Sequence, residues 1–215
     1  MPGAPTATME AMASTRERTP YAVAARQLLR ETLFGAARDE LHHRAWADIT
    51  MADVARTAGV SRQTLYKEFG TRDEFAKAFV IHEGSRFLDA VEQAVLDHVD
   101  DPHQAVHAAL EVFLTTAGED PLMRILLSDD GTGGMLPLVT TQSMPVVAWA
   151  SERIAAVMRT GWANARPDDA RLLAENLVRL AISYVTVPNG DPGKTATDVA
   201  HLLGPFVDQA LADGA

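Results

Sequence analysis

Residues 50–75 read TMADVARTAGVSRQTLYKEFGTRDEF, and this run decides the fold. Thr50 supplies a hydroxyl where a helix needs a cap, with Asp53 three residues on as a shorter stand-in for the usual capping glutamate. Ala52, Val54 and Ala55 give that short helix an inward face. Gly59 ends it in the left-handed conformation that glycine tolerates. Ser61 caps a second short helix over about 62–69, and Gly70 stops it. Val54, Val60, Leu65 and Phe69 read as core. Ser61, Arg62, Gln63, Thr64, Tyr66 and Lys67 remain for the outward face. A helix, a glycine turn and a second helix with hydroxyls, an amide and cations outward is the layout of a helix-turn-helix reader. Its natural partner is double-stranded DNA, through phosphates and base edges in a major groove.

The pattern extends in both directions as helix. Thr19-Pro20 is a cap followed by proline in a first turn, starting a helix to about Arg44 with Leu29, Leu33, Ala36, Ala37 and Leu41 as its apolar stripe. Thr71 with Glu74 is a full capping box for a long fourth helix to about Val99. Asp101-Pro102 and Asp120-Pro121 repeat the cap-then-proline signal. Further helices are expected over about 145–162, 167–187 and 195–212, with a turn at PNGDPG, 188–193. Residues 128–143, SDDGTGGMLPLVTTQS, break the period and read either as a lid or as a plain loop. The expected fold is therefore all-α, with about nine helices. Residues 1–18 are expected to be a mobile arm, which either frays or, through Arg16 and Arg18, reaches a minor groove. Residues 19–75 form the helix-turn-helix domain, and 76–215 a ligand-binding and dimerisation domain.

Charge separates the two parts. The net charge of −10 looks unfavourable for a nucleic-acid partner. Residues 1–80, however, hold 11 Lys and Arg against 10 Asp and Glu, while residues 81–215 hold 8 against 19. A near-neutral head meets DNA if its arginines cluster; the acidic body is repelled by it. Hydrophobic residues at 47% and charged residues at 22% are ordinary for a globular chain. With no cysteine, a disulfide scaffold, a thiol nucleophile and a cysteine zinc site are excluded, which fits a reducing cytoplasm. No apolar run reaches bilayer length and no secretory signal is visible, so no membrane partner is expected.

Residues 30–75 resemble the DNA-binding segment of the TetR family of transcriptional regulators. The resemblance rests on Ala36-Ala37, Thr50, Val54-Ala55, Ala58-Gly59-Val60-Ser61, Thr64-Leu65-Tyr66, Phe69 and Arg72-Asp73-Glu74. It implies a homodimer in which helices 1–3 read DNA, helix 4 links them to a ligand-binding body, and the last two long helices pair with their twins. Ligand binding would change the spacing of the heads and release the operator. A repressor follows from family habit, and an activator or a helical adaptor without an inducer is the alternative. Many relatives carry a small residue where Gln63 stands, and lysine where Arg72 stands.

The site residues follow. Arg62 suits guanine, Gln63 adenine, and Thr64 a thymine methyl or a phosphate. Tyr66, Lys67, Arg72 and the Thr50 hydroxyl suit phosphates. Leu177, Leu180 and Tyr184 with Leu202, Phe206 and Leu211 are expected at a twofold contact, or else complete the intrachain core. Phe87, Val91, Phe113, Met123, Leu127, Met135, Leu136, Trp149, Met158 and Trp162 line an adaptable apolar cavity or are ordinary core. Its effector is expected to be small and hydrophobic or amphipathic, such as a fatty acid or similar lipid, with Arg86, Arg124 or Asn176 available for a head group. His103, His107 and Glu111 share one helix face and read as a polar edge, or as metal ligands if other helices add more. No cofactor or metal is expected. No nucleophile elbow, zinc-protease pair, phosphate loop or dinucleotide fingerprint is present, so an enzyme is not expected. His82-Glu83 lacks a second histidine. The Asp129-Asp130 and Asp168-Asp169 pairs are explained by solvation and capping.

Overall fold

The computed structural model describes residues 6–127 and 134–212. Regular structure among them is entirely helical, as expected: ten α-helices and one 3-10 turn. The chain divides into two compact units, residues 1–44 with 49–68, and residues 45–48 with 69–215.

The smaller unit holds α1 (Thr6–Leu41), α2 (Met51–Thr57) and all but the last residue of α3 (Arg62–Phe69). Helix α1 begins well before Thr19-Pro20, where a start was expected, and carries Pro20 inside it. Proline lacks one backbone donor, yet the helical path continues on both sides of it. The side chains of residues 1–19, with the expected arm contacts of Arg16 and Arg18, lie outside the described residues. Leu33, Phe34, Ala37, Leu41, Ile49, Val54 and Leu65 are buried and make the core of this unit. Ala52 is exposed and Met51 buried, contrary to the expected inward set. Capping at Thr50 fixes the register, and positions 51, 54 and 55 then share one face.

The larger unit comprises the turn Trp46–Asp48, α4 (Arg72–Asp97), α5 (Pro102–Glu119), α6 (Pro121–Leu127), α7 (Leu136–Val139), α8 (Met144–Gly161), α9 (Pro167–Thr186) and α10 (Pro192–Ala212). Asp101 accepts from the Gln104 N–H at 3.1 Å, and Asp120 from the Leu122 and Met123 N–H groups at 2.8 and 3.0 Å. A third instance of this device stands in the stretch expected to be a turn. Asp191 accepts from the Lys194 N–H at 2.9 Å, and α10 starts at Pro192 rather than Thr195. The tenth helix, α7, is a single turn inside the segment expected to be loop, nucleated by Pro137. Helix α5 lies against α4, α9 and α10, and α8 against α4 and α9. Their shared core includes Leu88, Val95, Val106, Val147, Ile154, Leu173 and Val199. Burying each such side chain is worth about 1.5–3 kcal/mol, which outweighs modest local propensities. At the head of α4, Phe75 stacks between Trp46 and Phe79, with Phe69 edge-on at 4.9 Å.

Candidate nucleic-acid interface and ligand cavity

The two short helices of the smaller unit are each fixed by their own ends. The Thr50 N–H and hydroxyl both donate to Asp53 Oδ2, at 2.9 and 2.6 Å, and the Asp53 N–H returns a bond to Thr50 Oγ1 at 3.2 Å. The Thr50 hydroxyl first, and its backbone N–H second, hold the Asp53 carboxyl well below the usual carboxylate range; Arg56 and Arg44 add to this. After α2 the N–H of Val60 bonds Ala55 O at 2.9 Å and that of Gly59 bonds Arg56 O at 3.1 Å. This wrap needs the positive φ of 69° at Gly59. Ser61 Oγ then accepts from the Thr64 N–H at 3.0 Å and opens α3, with the Thr64 hydroxyl 2.8 Å away.

Helix α3 has two distinct sides. Leu65 and Phe69 are buried, while Ser61, Arg62, Gln63, Tyr66 and Lys67 are exposed and Thr64 is half-buried. The Arg62 guanidinium lies 5.3 Å from the centre of the Tyr66 ring, so the two side chains share one patch. The helix's one acid is turned away from this patch. Glu68 receives Arg26 Nε at 2.9 Å and Arg30 Nη1 at 2.8 Å, both from α1. Burial pushes the Glu68 carboxyl up, but bonds from Arg30 and then Arg26 outweigh it and leave it lowered. The clamp was not anticipated, although two arginines one turn apart facing a lone acid was its visible signal.

Two expected phosphate contacts have local partners. The Thr50 hydroxyl is engaged in its capping box. The Arg72 guanidinium donates to the Trp46 carbonyl and lies 4.5 Å over the Trp46 ring, tying α4 to the 3-10 turn. The expected box of Thr71 and Glu74 is present, with the Thr71 N–H 2.7 Å from Glu74 Oε2.

In the larger unit a cavity of about 100 Å³ opens among six helices. Helix α4 contributes Val80, Gly84, Leu88 and Val91; α5 contributes Ala109, Leu110 and Phe113; α6 and α7 contribute Met123, Leu126 and Val139. Helix α8 adds Val146, Trp149, Ala150 and Ile154, and α9 adds Leu177, Val178, Ala181, Ile182 and Val185. Every one is apolar. Of the expected lining, Val91, Phe113, Met123 and Trp149 are present. Phe87, Met135 and Met158 are buried without lining it, Phe87 edge-on to the lining residue Phe113 at 6.4 Å, and Leu136 is half-buried outside the lining. Trp162 is buried against the α10 end, near Val207 and Leu211. The side chains of Leu127 and Arg124, and residues 128–133, lie outside the described residues. Large side chains were a partial guide: Phe113, Met123 and Trp149 line the void, but much of its wall is glycine, alanine and valine, which leave space unfilled. The spacing of Val80, Gly84, Leu88 and Val91 on one face of α4 was the better signal.

The remaining expected groups separate. Arg86 is exposed, and Asn176 donates to Leu172 O on its own helix at 2.8 Å. His103 pairs with Asp208 at 2.6 Å and His107 with the Thr197 hydroxyl at 3.2 Å, so both reach α10 from α5. Among the described residues no group of three or more acidic or histidine side chains converges as a metal site. Leu177 is buried in the cavity wall. Leu180, Tyr184, Phe206 and Leu211 are half-buried against the core, and Leu202 is 69% exposed. No helix among the described residues is long and apolar enough to cross a membrane.

Residues 33–79 match the family model described as bacterial regulatory proteins, tetR family, and residues 101–205 match that of the bacterial tetracyclin repressor C-terminal domain. The chain is 37% identical over 193 residues to the HTH-type transcriptional regulator AlkX of Mycobacterium tuberculosis (strain ATCC 25618 / H37Rv), covering 90% of this chain and 92% of that one. An uncharacterized HTH-type transcriptional regulator of the same strain, Rv1255c, is 26% identical over 192 residues, covering 86% and 89%. Among solved structures, the TetR family repressor AlkX of Dietzia sp. strain DQ12-45-1b, implicated in biodegradation of n-alkanes, superposes with a TM-score of 0.72. It is 31% identical, over 85% of this chain and 96% of that one.

Proposed function

This chain belongs to the TetR family of bacterial transcriptional regulators, a family of DNA-binding proteins, and from that premise we propose that it is a homodimeric repressor released from its operator by a hydrophobic small molecule. The observation that carries this reading is the two-sidedness of α3. Leu65 and Phe69 anchor the helix, Glu68 is neutralised by Arg26 and Arg30, and Arg62, Gln63, Tyr66 and Lys67 are left facing outward. That face offers a guanidinium and an amide to base edges and a cation and a phenol to phosphates. Thr50, Ser61, Thr64 and Arg72 flank it.

The effector reading is supported by the apolar cavity and by the resemblance to a repressor implicated in n-alkane biodegradation. In this reading the smaller unit reads DNA, and the larger one binds the effector and dimerises. Leu180, Tyr184, Leu202 and Phe206 of α9 and α10 form the twofold contact, with Leu172, itself 51% exposed, extending it. The protein works in the cytoplasm, where its operator is.

Selection of duplexes from a random-sequence pool tests the reading. The expected product is a two-fold symmetric site whose affinity falls steeply with added salt, as phosphate contacts release counterions. Recovery of no preferred sequence would contradict it.

A further inference from the structure

We propose that the cavity takes an uncharged aliphatic hydrocarbon, buried whole, in the room that Gly84 leaves against Trp149. The inference rests on the preceding reading of this cavity as the effector site, and it commits that site to one chemistry. Ligand sites ordinarily carry a few placed polar groups that orient a head group. Here every described lining residue is apolar, across six helices. An ionised carboxylate or ammonium carried inside would meet no partner among the described wall residues, and burial without one would force it to neutralise.

Among the described residues, the cation stacked on the cavity wall is already committed. Arg153 lies 5.7 Å from the Trp149 ring centre, and donates to Glu92 at 2.6 Å and Asp89 at 2.8 Å. Those α4 carboxylates keep the guanidinium satisfied and place negative charge beside the wall, which repels an acid head group. The same bridges hold α8, and Trp149 with it, against α4.

Gly84 sets the available space. It lies within α4, and a Cβ built there would stand 3.4 Å from the Trp149 ring. The glycine costs α4 helix stability relative to alanine, so the site trades order for room. At about 100 Å³ the resting cavity is smaller than the roughly 150 Å³ engineered void that accepts benzene. An eight-carbon chain therefore requires the walls to move apart, and the gap between Gly84 and Trp149 itself holds about one methyl group.

The test titrates the full chain with n-octane, 1-octanol and octanoate, read by tryptophan emission, with Trp149→Phe identifying the responding ring. At pH 7 n-octane is expected to bind at least tenfold more tightly than octanoate. Octanoate should gain as pH falls toward its own pKa. From n-hexane to n-octane, affinity should rise about fourfold per methylene. Gly84→Ala should keep or raise Tm, because alanine is the better helix former, and weaken n-octane at least fivefold. Octanoate binding as tightly as n-octane at pH 7, binding by none of the three, or unchanged n-octane affinity in folded Gly84→Ala would each overturn the proposal. Operator release is scored separately. Hydrocarbon that binds without freeing DNA defeats the effector role alone, whereas tight octanoate that frees DNA defeats only the hydrocarbon assignment.

Discussion

Arg30 Nη1 on α1 lies 2.8 Å from Glu68 Oε1 on α3, and this pair orients the proposed reading helix. With Arg26 it forms a two-cation clamp on a carboxylate whose side chain is only 9% exposed. The clamp docks α3 by its rear and removes the helix's negative charge from the face that would meet phosphates.

Breaking the clamp should cost both stability and DNA binding. Glu68→Ala leaves two arginines without their acceptor and is expected to destabilise by about 1–3 kcal/mol. The Glu68 carboxyl is lowered in the fold, so its stabilisation is fully present above the unfolded glutamate pKa of about 4.3 and lost as pH falls through the lower folded value. Chemical denaturation from pH 6 down to pH 3 should show wild type losing this increment and Glu68→Gln lacking it throughout. Parallel slopes for the two proteins would contradict the assignment.

On the outward face, base and phosphate contacts should separate by mutation. Arg62→Ala is expected to cost about 1–3 kcal/mol and to relax preference at one base per half-site. Lys67→Ala should weaken all duplexes alike and reduce the salt slope by about one per site. Anisotropy titrations at several salt concentrations distinguish the two behaviours.

The α2 cap gives a separate test. Thr50→Ala removes the side-chain acceptor for the Asp53 N–H and should cost about 1 kcal/mol. It also removes the hydroxyl that does most to lower the Asp53 carboxyl, so that group's pKa should move up toward the ordinary aspartate value. Carbon-detected titration of Asp53 follows the shift directly; an unmoved pKa would mean that the backbone N–H of residue 50, with Arg56 and Arg44, dominates instead.

The proposed twofold contact is tested at its most exposed member. Leu202→Glu places a charge on a side chain that is 69% exposed in the single chain. It should leave the monomer folded and shift sedimentation from dimer to monomer. A wild type that sediments as a monomer at micromolar concentration would rule out the contact.

The short-range part of this architecture was legible in the sequence. Thr50, Gly59, Ser61, Gly70 and Thr71 are capping and turn residues whose roles depend on neighbours a few positions away, and they placed α2, α3 and the start of α4. The same logic was available at Asp191-Pro192 and was missed because the surrounding glycines suggested a turn. The cavity was less legible. Its walls come from six helices distant in sequence, and the void depends on what small residues fail to fill. Gly84 carries no side chain to attract notice, and Leu177, assigned to an outer face by its stripe, belongs to the inner one. The Glu68 clamp joins residues 38 and 42 positions apart, beyond the reach of any helical period.

The most direct test of the central claim is the sequence profile of duplexes selected by wild type and by a Gln63→Ala, Arg62→Ala double variant. Wild type should enrich a two-fold symmetric site with half-site centres about one helical turn, or a multiple of it, apart. The variant should lose preference at the same positions in both halves while retaining weak, salt-sensitive binding. An asymmetric site, or an identical profile from the variant, would show that α3 is not the element that reads DNA.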